Sequence, residues 1–306
     1  MGKEGLKIAL GYILICLIWG STWLAIRLGL ESLTPFIAAG LRFLAASFFI
    51  YLAMKVQGIK LQTDPNAVKL YVIMGFFSFA IPFGLVYWAE QYIASGLTSV
   101  LFAIHPFAVI IFSRLMMPQY KVGPYQILGV ALAFVGIVVI FGDGLSIDFN
   151  RDFWGMLAVI GSGVIQAWIA VLMKKHGEEL HPLSLNLVPL IIAGVIMTIV
   201  GFAIEDSSTW IFDSNAIMSI TYLALFGTLV TFTTYYWLLK RINVVILSIS
   251  SFITPIIAIL LGWMILSEKL SAMVLAGSSL VLIGILFANF RGLRNYYNLK
   301  TGKSSR

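Results

Sequence analysis

The residues of this 306-residue chain that could do chemistry are few, and most lie inside long apolar runs. His105 and Pro106 share the tract Leu101–Phe112, LFAIHPFAVIIF. A histidine at that depth either meets a polar solute or moves a proton, or is a neutral, hydrogen-bonded core residue. Ser95, Thr98, Phe102 and His105 follow i, i+3, i+7, i+10 spacing and so share one helix face. Two further stripes, Thr228–Thr231–Tyr235 and Ser248–Ser251–Thr254, recur later. Lipid rejects such stripes, so each faces a neighbouring helix as polar glue or a wet cavity.

Arg42 lies eight residues into another run, where an arginine costs about 2.5–3.5 kcal/mol on insertion scales. It either binds a carboxylate or phosphate of a solute or is a structural charge, paired with helix carbonyls or with Glu31 or Glu90; we expect the second. Glu90 is likewise expected to be structural, a solvated carboxylate at a run's end beside Gln91. Arg27 is expected to snorkel outward. Trp154 and Trp210 read as interfacial anchors. Trp19, Trp23, Trp88, Trp168 and Trp237 lie deeper, where they either pack or line a cavity for planar or cationic solutes.

The elements that must position these residues are membrane helices. The chain is 60% hydrophobic and 11% charged, where soluble domains carry about 25% charge. Its mean hydropathy is +0.98. Glycine, proline and charge punctuate it into runs at 8–28, 34–54, 70–90, 95–116, 124–142, 153–173, 183–204, 216–239, 244–266 and 271–290. The first run has the basic start of a signal peptide but no small-residue cleavage site, so it reads as a retained span. With both termini cytoplasmic, sixteen of the twenty Lys and Arg residues fall on the cytoplasmic side, and only Arg27, Arg151 and Lys269 on the other. Asp143, Asp148, Asp152, Glu205, Asp206 and Asp213 lie in two outer loops.

The runs repeat at an offset of about 147–149 residues. Pro35 meets Pro182, Tyr87–Trp88 meets Tyr236–Trp237, Pro106 meets Pro255, and Gly129 and Gly136 meet Gly277 and Gly284. An odd number of spans per repeat inverts the second half. The expected fold is therefore an all-α polytopic membrane protein of ten transmembrane helices, built as two five-helix inverted-topology repeats, residues 1–145 and 146–306. Such repeats suit alternating access, in which the halves exchange conformations. Pro106 and Pro255 are the expected hinges, each deleting a helical hydrogen bond. The glycines of the fifth and tenth runs read as scaffold or a dimer surface.

The stretches LIWGSTWLAIRLGLESLTPFIAAGLRFLAA (Leu17–Ala46) and IASGLTSVLFAIHPFAVIIFSRLMMPQYKVGPYQILGVALAFVGIVVI (Ile93–Ile140) resemble the EamA branch of the drug/metabolite transporter superfamily. The resemblance covers roughly residues 8–290. It implies a central cavity lined by the first, third, fourth, sixth, eighth and ninth helices, and export of amino acids, related metabolites or toxic compounds. On those helices the residues expected to bind substrate are Trp19, Thr22, Tyr87, Trp88, Thr98, Phe102, His105, Gln166, Trp168, Thr231, Tyr235, Ser251 and Thr254. One departure stands out: the acid typical after the fourth span, present in Ser267–Glu268–Lys269 of the second half, is replaced by Met117–Pro118–Gln119.

An exporter of amino-acid-like metabolites is the leading expectation, with a multidrug or organic-cation effluxer second. A membrane-embedded enzyme is a remote third, since no paired carboxylates, H-E-x-x-H or nucleophile–base pair occurs. No G-x-x-x-x-G-K-[ST] sequence is present, so ATP is not the direct energy source. The single cysteine, Cys16, and three scattered histidines offer no local metal site. No cofactor and no nucleic acid are expected. The expected partners are the lipid bilayer and a small solute, in a monomer or homodimer of the plasma (inner) membrane.

Overall fold

The structure, a computed structural model, describes residues 3–93, 98, 101–119, 122–142, 149–266 and 272–288. Ser95 and Ser267–Glu268–Lys269, most of the first acidic outer loop and the basic tail lie outside them, as does the side chain of Trp23. The helices are α1 (Lys3–Leu30), α2 (Pro35–Val56), α3 (Pro65–Ala89), α4 (His105–Met116), α5 (Pro124–Gly142), α6 (Phe149–His176), α7 (Ser184–Ile204), α8 (Ser214–Leu239), α9 (244–266) and α10 (Ala272–Ala288). No strand occurs among the described residues. Six helices, α1, α2, α3, α6, α7 and α8, are long and apolar enough to cross a membrane. The apolar segments of α4, α5, α9 and α10 are shorter.

Local chemistry sets the starts of α3 and α8 in the same way. Asp64 accepts the Ala67 amide at 3.0 Å, and Asp213 accepts the Ala216 amide at 2.9 Å. Each satisfies one donor that a helix N-terminus leaves unpaired. Both helices then carry a six-residue π-helical stretch, Gly75–Ala80 and Leu225–Val230, about one repeat offset apart. In the second, the Thr231 hydroxyl donates to the Phe226 carbonyl at 3.1 Å, answering one of the groups that the widened turn leaves poorly bonded.

The start of α2 is capped from another helix. Thr34 occupies the cap position but makes no cap bond of its own. Instead the carboxylate of Glu205, just past α7, accepts the amides of Phe36 (2.7 Å) and Ile37 (3.1 Å) and the Thr34 hydroxyl (2.7 Å). An anion at a helix N-terminus complements both its orphan amides and its dipole. The indole of Trp210 donates to the Thr34 hydroxyl at 2.7 Å. Trp210 is thus a clasp as well as a span-end aromatic, whereas Trp154 is exposed.

Two antiparallel pairs form the scaffold. A side chain at Gly40 would strike Thr198, one at Gly194 would strike Leu44, and one at Gly201 would meet Ile37, so α2 and α7 lie backbone to backbone. Gly129 lies against the Gly284 carbonyl and Gly136 against the Gly277 carbonyl, which sets α5 on α10 in the same manner. The remaining contacts cross the sequence: α1 packs on α8 and α9, and α6 packs on α3 and α4.

Candidate functional site

Helices α1, α3, α4, α6, α8 and α9 enclose a central cavity of about 140 Å³. It reaches from Ile26 and Val86, near the last turns of α1 and α3, to Tyr236 and Ser250, near the end of α8 and the start of α9. Past Tyr236, towards Lys174 and Lys240, the space is filled and holds no room for a water molecule. Buried Met173, Leu238, Leu239, Val245 and Leu247 close this end. Lys174 donates to the Leu239 carbonyl at 2.6 Å, and the Tyr12 hydroxyl donates to the Ile246 carbonyl at 3.0 Å.

Of the residues expected to bind substrate, the cavity wall contains Trp19 and Thr22 of α1, Phe102 just before α4, His105 at its start, and Gln166 of α6. It also contains Tyr235 of α8 with Ser251 and Thr254 of α9. Trp19 packs on Phe232 and Tyr235, each with ring centroids 5.5 Å apart. The His105 ring is stacked on Phe102 at 5.7 Å and 8°, and its Nδ1 is buried without a hydrogen-bond partner among the described residues.

Five of the expected residues stand elsewhere. Trp88 packs on Tyr92 beside a small apolar cluster, and Trp168 packs edge-on against Phe77. Thr231 is turned to the Phe226 carbonyl, and Thr98 is fully buried away from the wall. Tyr87 is buried behind the wall, where its hydroxyl accepts from Arg42.

Arg42 meets one of its expected structural partners, a helix carbonyl, although its helix was not among those expected to line the cavity. It lies in the wall itself, 1% exposed, and pairs with neither Glu31 nor Glu90. Its Nε donates to the Thr228 hydroxyl at 2.9 Å, Nη1 to the Tyr87 hydroxyl at 3.2 Å and Nη2 to the Gly227 carbonyl at 3.2 Å. The side chain is long enough to carry its charge from α2 to the π-helical stretch of α8. Glu90 also differs: its Oε1 is buried and has no partner among the described residues, so it is not a freely solvated carboxylate. Arg27 is exposed, as expected.

The two prolines act differently. Pro106 lies in the first turn of α4, which restarts after a break at 103–104, where proline is tolerated. Pro255 lies inside α9, six residues after Ile249 interrupts that helix. Having no N–H, it cannot bond the Ser251 carbonyl; the Thr254 hydroxyl donates there instead, at 3.3 Å. Gly20 brings α1 onto the Thr254 carbonyl, and Gly163 brings α6 close to the Phe102 carbonyl. Both proline breaks are therefore held by a glycine of a neighbouring helix.

Ser78, Phe83, Phe232, Tyr236 and Ser250 complete much of the wall and were not expected there. The Ser78 and Tyr236 hydroxyls pair at 3.2 Å. The match of Tyr87 with Tyr236 across the repeat carried a signal for the second tyrosine. Among the described residues no three His, Cys, Asp or Glu side chains gather as a metal site.

The comparisons with known proteins give the class of the chain. The EamA-like transporter family model matches residues 6–142 and again residues 153–290. The chain belongs to the EamA-like transporter family. It is 28% identical to the uncharacterized transporter YoaV of Bacillus subtilis over 93% of this chain and 97% of that protein. It is 29% identical to the protein PagO of Salmonella typhimurium over 83% of each chain. The uncharacterized inner membrane transporter YedA of Escherichia coli is 27% identical, over 83% of this chain and 81% of that one. A solved structure shares the fold at TM-score 0.81 with 18% identity, covering 94% of this chain and 98% of its own. This EamA-family chain is a multi-pass membrane transporter and not an enzyme.

Proposed function

We propose that this EamA-family transporter is a secondary exporter of small metabolites, amino-acid-like solutes first, working by alternating access between two inverted five-helix halves, 1–145 and 146–306. The observation that carries the reading is the central cavity, which buried side chains close off towards Lys174 and Lys240. In the proposed topology of ten spans with both termini cytoplasmic, that closed end is the inner one.

Several features support the inverted repeat. The family model matches twice, once per half. The packing of α1 on α8 and α9 has its counterpart in that of α6 on α3 and α4, and α2–α7 and α5–α10 are each a helix paired with its own repeat mate, antiparallel. The aspartate caps and π-helical stretches of α3 and α8 recur in register. On this reading the substrate-binding residues are the expected ones that reach the wall, with Pro106 and Pro255 as hinges. Thr98, Tyr87, Trp88, Trp168 and Thr231 support them from behind.

The test is solute flux in proteoliposomes with a panel of amino acids, nucleosides and organic cations at two pH values, with His105→Ala alongside. The proposal expects an amino-acid-like solute to move and His105→Ala to slow it at least tenfold. Movement of organic cations alone would replace the exporter reading with the effluxer one, and no movement of any solute would refute both. Wild-type-like, pH-dependent flux in the variant would remove His105 from recognition and coupling.

A further inference from the structure

The central cavity contains a charge that the fold leaves unanswered. The three hydrogen bonds of Arg42 end on a threonine hydroxyl, a tyrosine hydroxyl and a backbone carbonyl, all neutral. A guanidinium has five N–H donors, so one N–H on each Nη remains unspent among the described residues. No Asp or Glu belongs to the described cavity wall, and the described ion pairs, Lys174–Glu178 and Arg241–Glu4, lie elsewhere. Phe83 and Phe43 lie 5.2 and 5.5 Å from the guanidinium carbon. Ring faces offset part of the lost hydration of a cation. They do not supply the lone pairs that two N–H groups can take, and a buried charge without a counter-charge is a costly arrangement.

The rest of the wall suits the other end of such a ligand. Trp19, Phe232 and Tyr235 form an aromatic cluster, while Gln166 and the unpartnered Nδ1 of His105 supply neutral polar atoms. The volume, about 140 Å³, is close to that of an engineered protein cavity that takes a single benzene ring.

We propose that Arg42 is the anion receptor of the cavity: its two unspent N–H groups take the carboxylate of a small monocarboxylate, of about single-ring size, whose apolar body lies against Trp19, Phe83 and Phe232. The assignment rests on the reading of the cavity as the solute site, and it orders solute classes within that reading. A carboxylate gains charge-assisted hydrogen bonds. A neutral isostere gains only ordinary ones. An organic cation meets Arg42 with no carboxylate on the described wall to face it.

Benzoate, benzamide and benzamidinium hold size and shape nearly constant while running from anion through neutral to cation. Binding of each to the purified full-length protein in detergent is read by thermal-shift titration, and proteoliposome uptake of labelled benzoate is measured in parallel. Benzoate is expected to bind at least tenfold more tightly than benzamide, with benzamidinium weakest. Arg42→Gln should bring benzoate down to the benzamide level, and Arg42→Lys should keep the preference for the anion. Equal binding of the three, tighter binding of benzamidinium or no binding at all overturns the assignment. Should Arg42→Gln fail to fold, the wild-type series decides alone. Anion-selective binding without uptake would leave the receptor standing and refute transport of that solute.

Discussion

Glu205 does more for this fold than its place in a loop suggests. One carboxylate accepts two backbone amides and a hydroxyl at the start of α2, and so ties that helix to α7. Charge-assisted bonds of this kind contribute about 1.5–3 kcal/mol each before non-additivity. Glu205→Ala should therefore lower unfolding stability in detergent by about 2 kcal/mol, and Glu205→Gln by about half that, since the amide oxygen still accepts. An unchanged melting curve for both would contradict the capping role. Asp213 makes a pH-dependent version of the same bond. The Ala216 amide, then the Ser32 hydroxyl, hold its carboxyl below the usual aspartate value. A depressed folded-state value means the stabilisation is present above the unfolded value and is lost as pH falls through the folded one. Melting temperature should fall on acidification below about pH 4, and Asp213→Asn should flatten that part of the fall. Arg42 belongs to the same scale. Its presence in the second run was plain from the sequence, but the position of an arginine backbone does not fix where its charge ends, because the side chain spans the gap to another helix.

Helical stripes are legible in a sequence because residues three and four apart share a face. That argument placed His105, Phe102, Ser251 and Thr254, which reach the wall even though the helix breaks at 103–104 between the first two. It did not keep Thr228, Thr231 and Tyr235 on one cavity face. The π-helical stretch Leu225–Val230 rotates the face, so Thr228 meets Arg42, Thr231 bonds Phe226, and only Tyr235 reaches the cavity. Nothing in the residue types of GFFSFA or LFGTLV announces a π turn; its recurrence at matching places does. The glycines of α5 and α10 were legible as close-approach faces, and a matched pair of substitutions tests them. At Gly136 an added Cβ meets the Gly277 carbonyl and Val281, while at Gly161 of α6 it meets nothing within 4 Å. Gly136→Ala should destabilise by about 1–3 kcal/mol through overpacking. Gly161→Ala should stabilise by about 0.5–1 kcal/mol through helix propensity alone. Thermal unfolding of the two variants side by side checks this, and equal shifts would refute the close packing of α5 on α10.

At the scale of the whole molecule, the proposal is that one unit of structure is used twice. The order of the runs, the prolines and the glycines carried that in the sequence, and the paired contacts of α2 with α7 and α5 with α10 agree with it. What the sequence left open was which helices touch and which end of the cavity is filled, since both depend on contacts between residues more than a hundred positions apart. The charge bias predicts that a fluorescent-protein fusion to the C-terminus will be bright, as only a cytoplasmic fusion folds; a dark but expressed fusion would reverse the proposed orientation. The proposed mechanism requires the cavity to meet both sides of the membrane in turn. Ser251, in the cavity wall, can be made the only thiol by combining Ser251→Cys with Cys16→Ala. Labelling with a membrane-impermeant thiosulfonate is then measured in right-side-out and inside-out vesicles, with and without transported solute. Alternating access predicts labelling from both faces, with solute changing the ratio between them; labelling from one face only, whatever the solute, would contradict it.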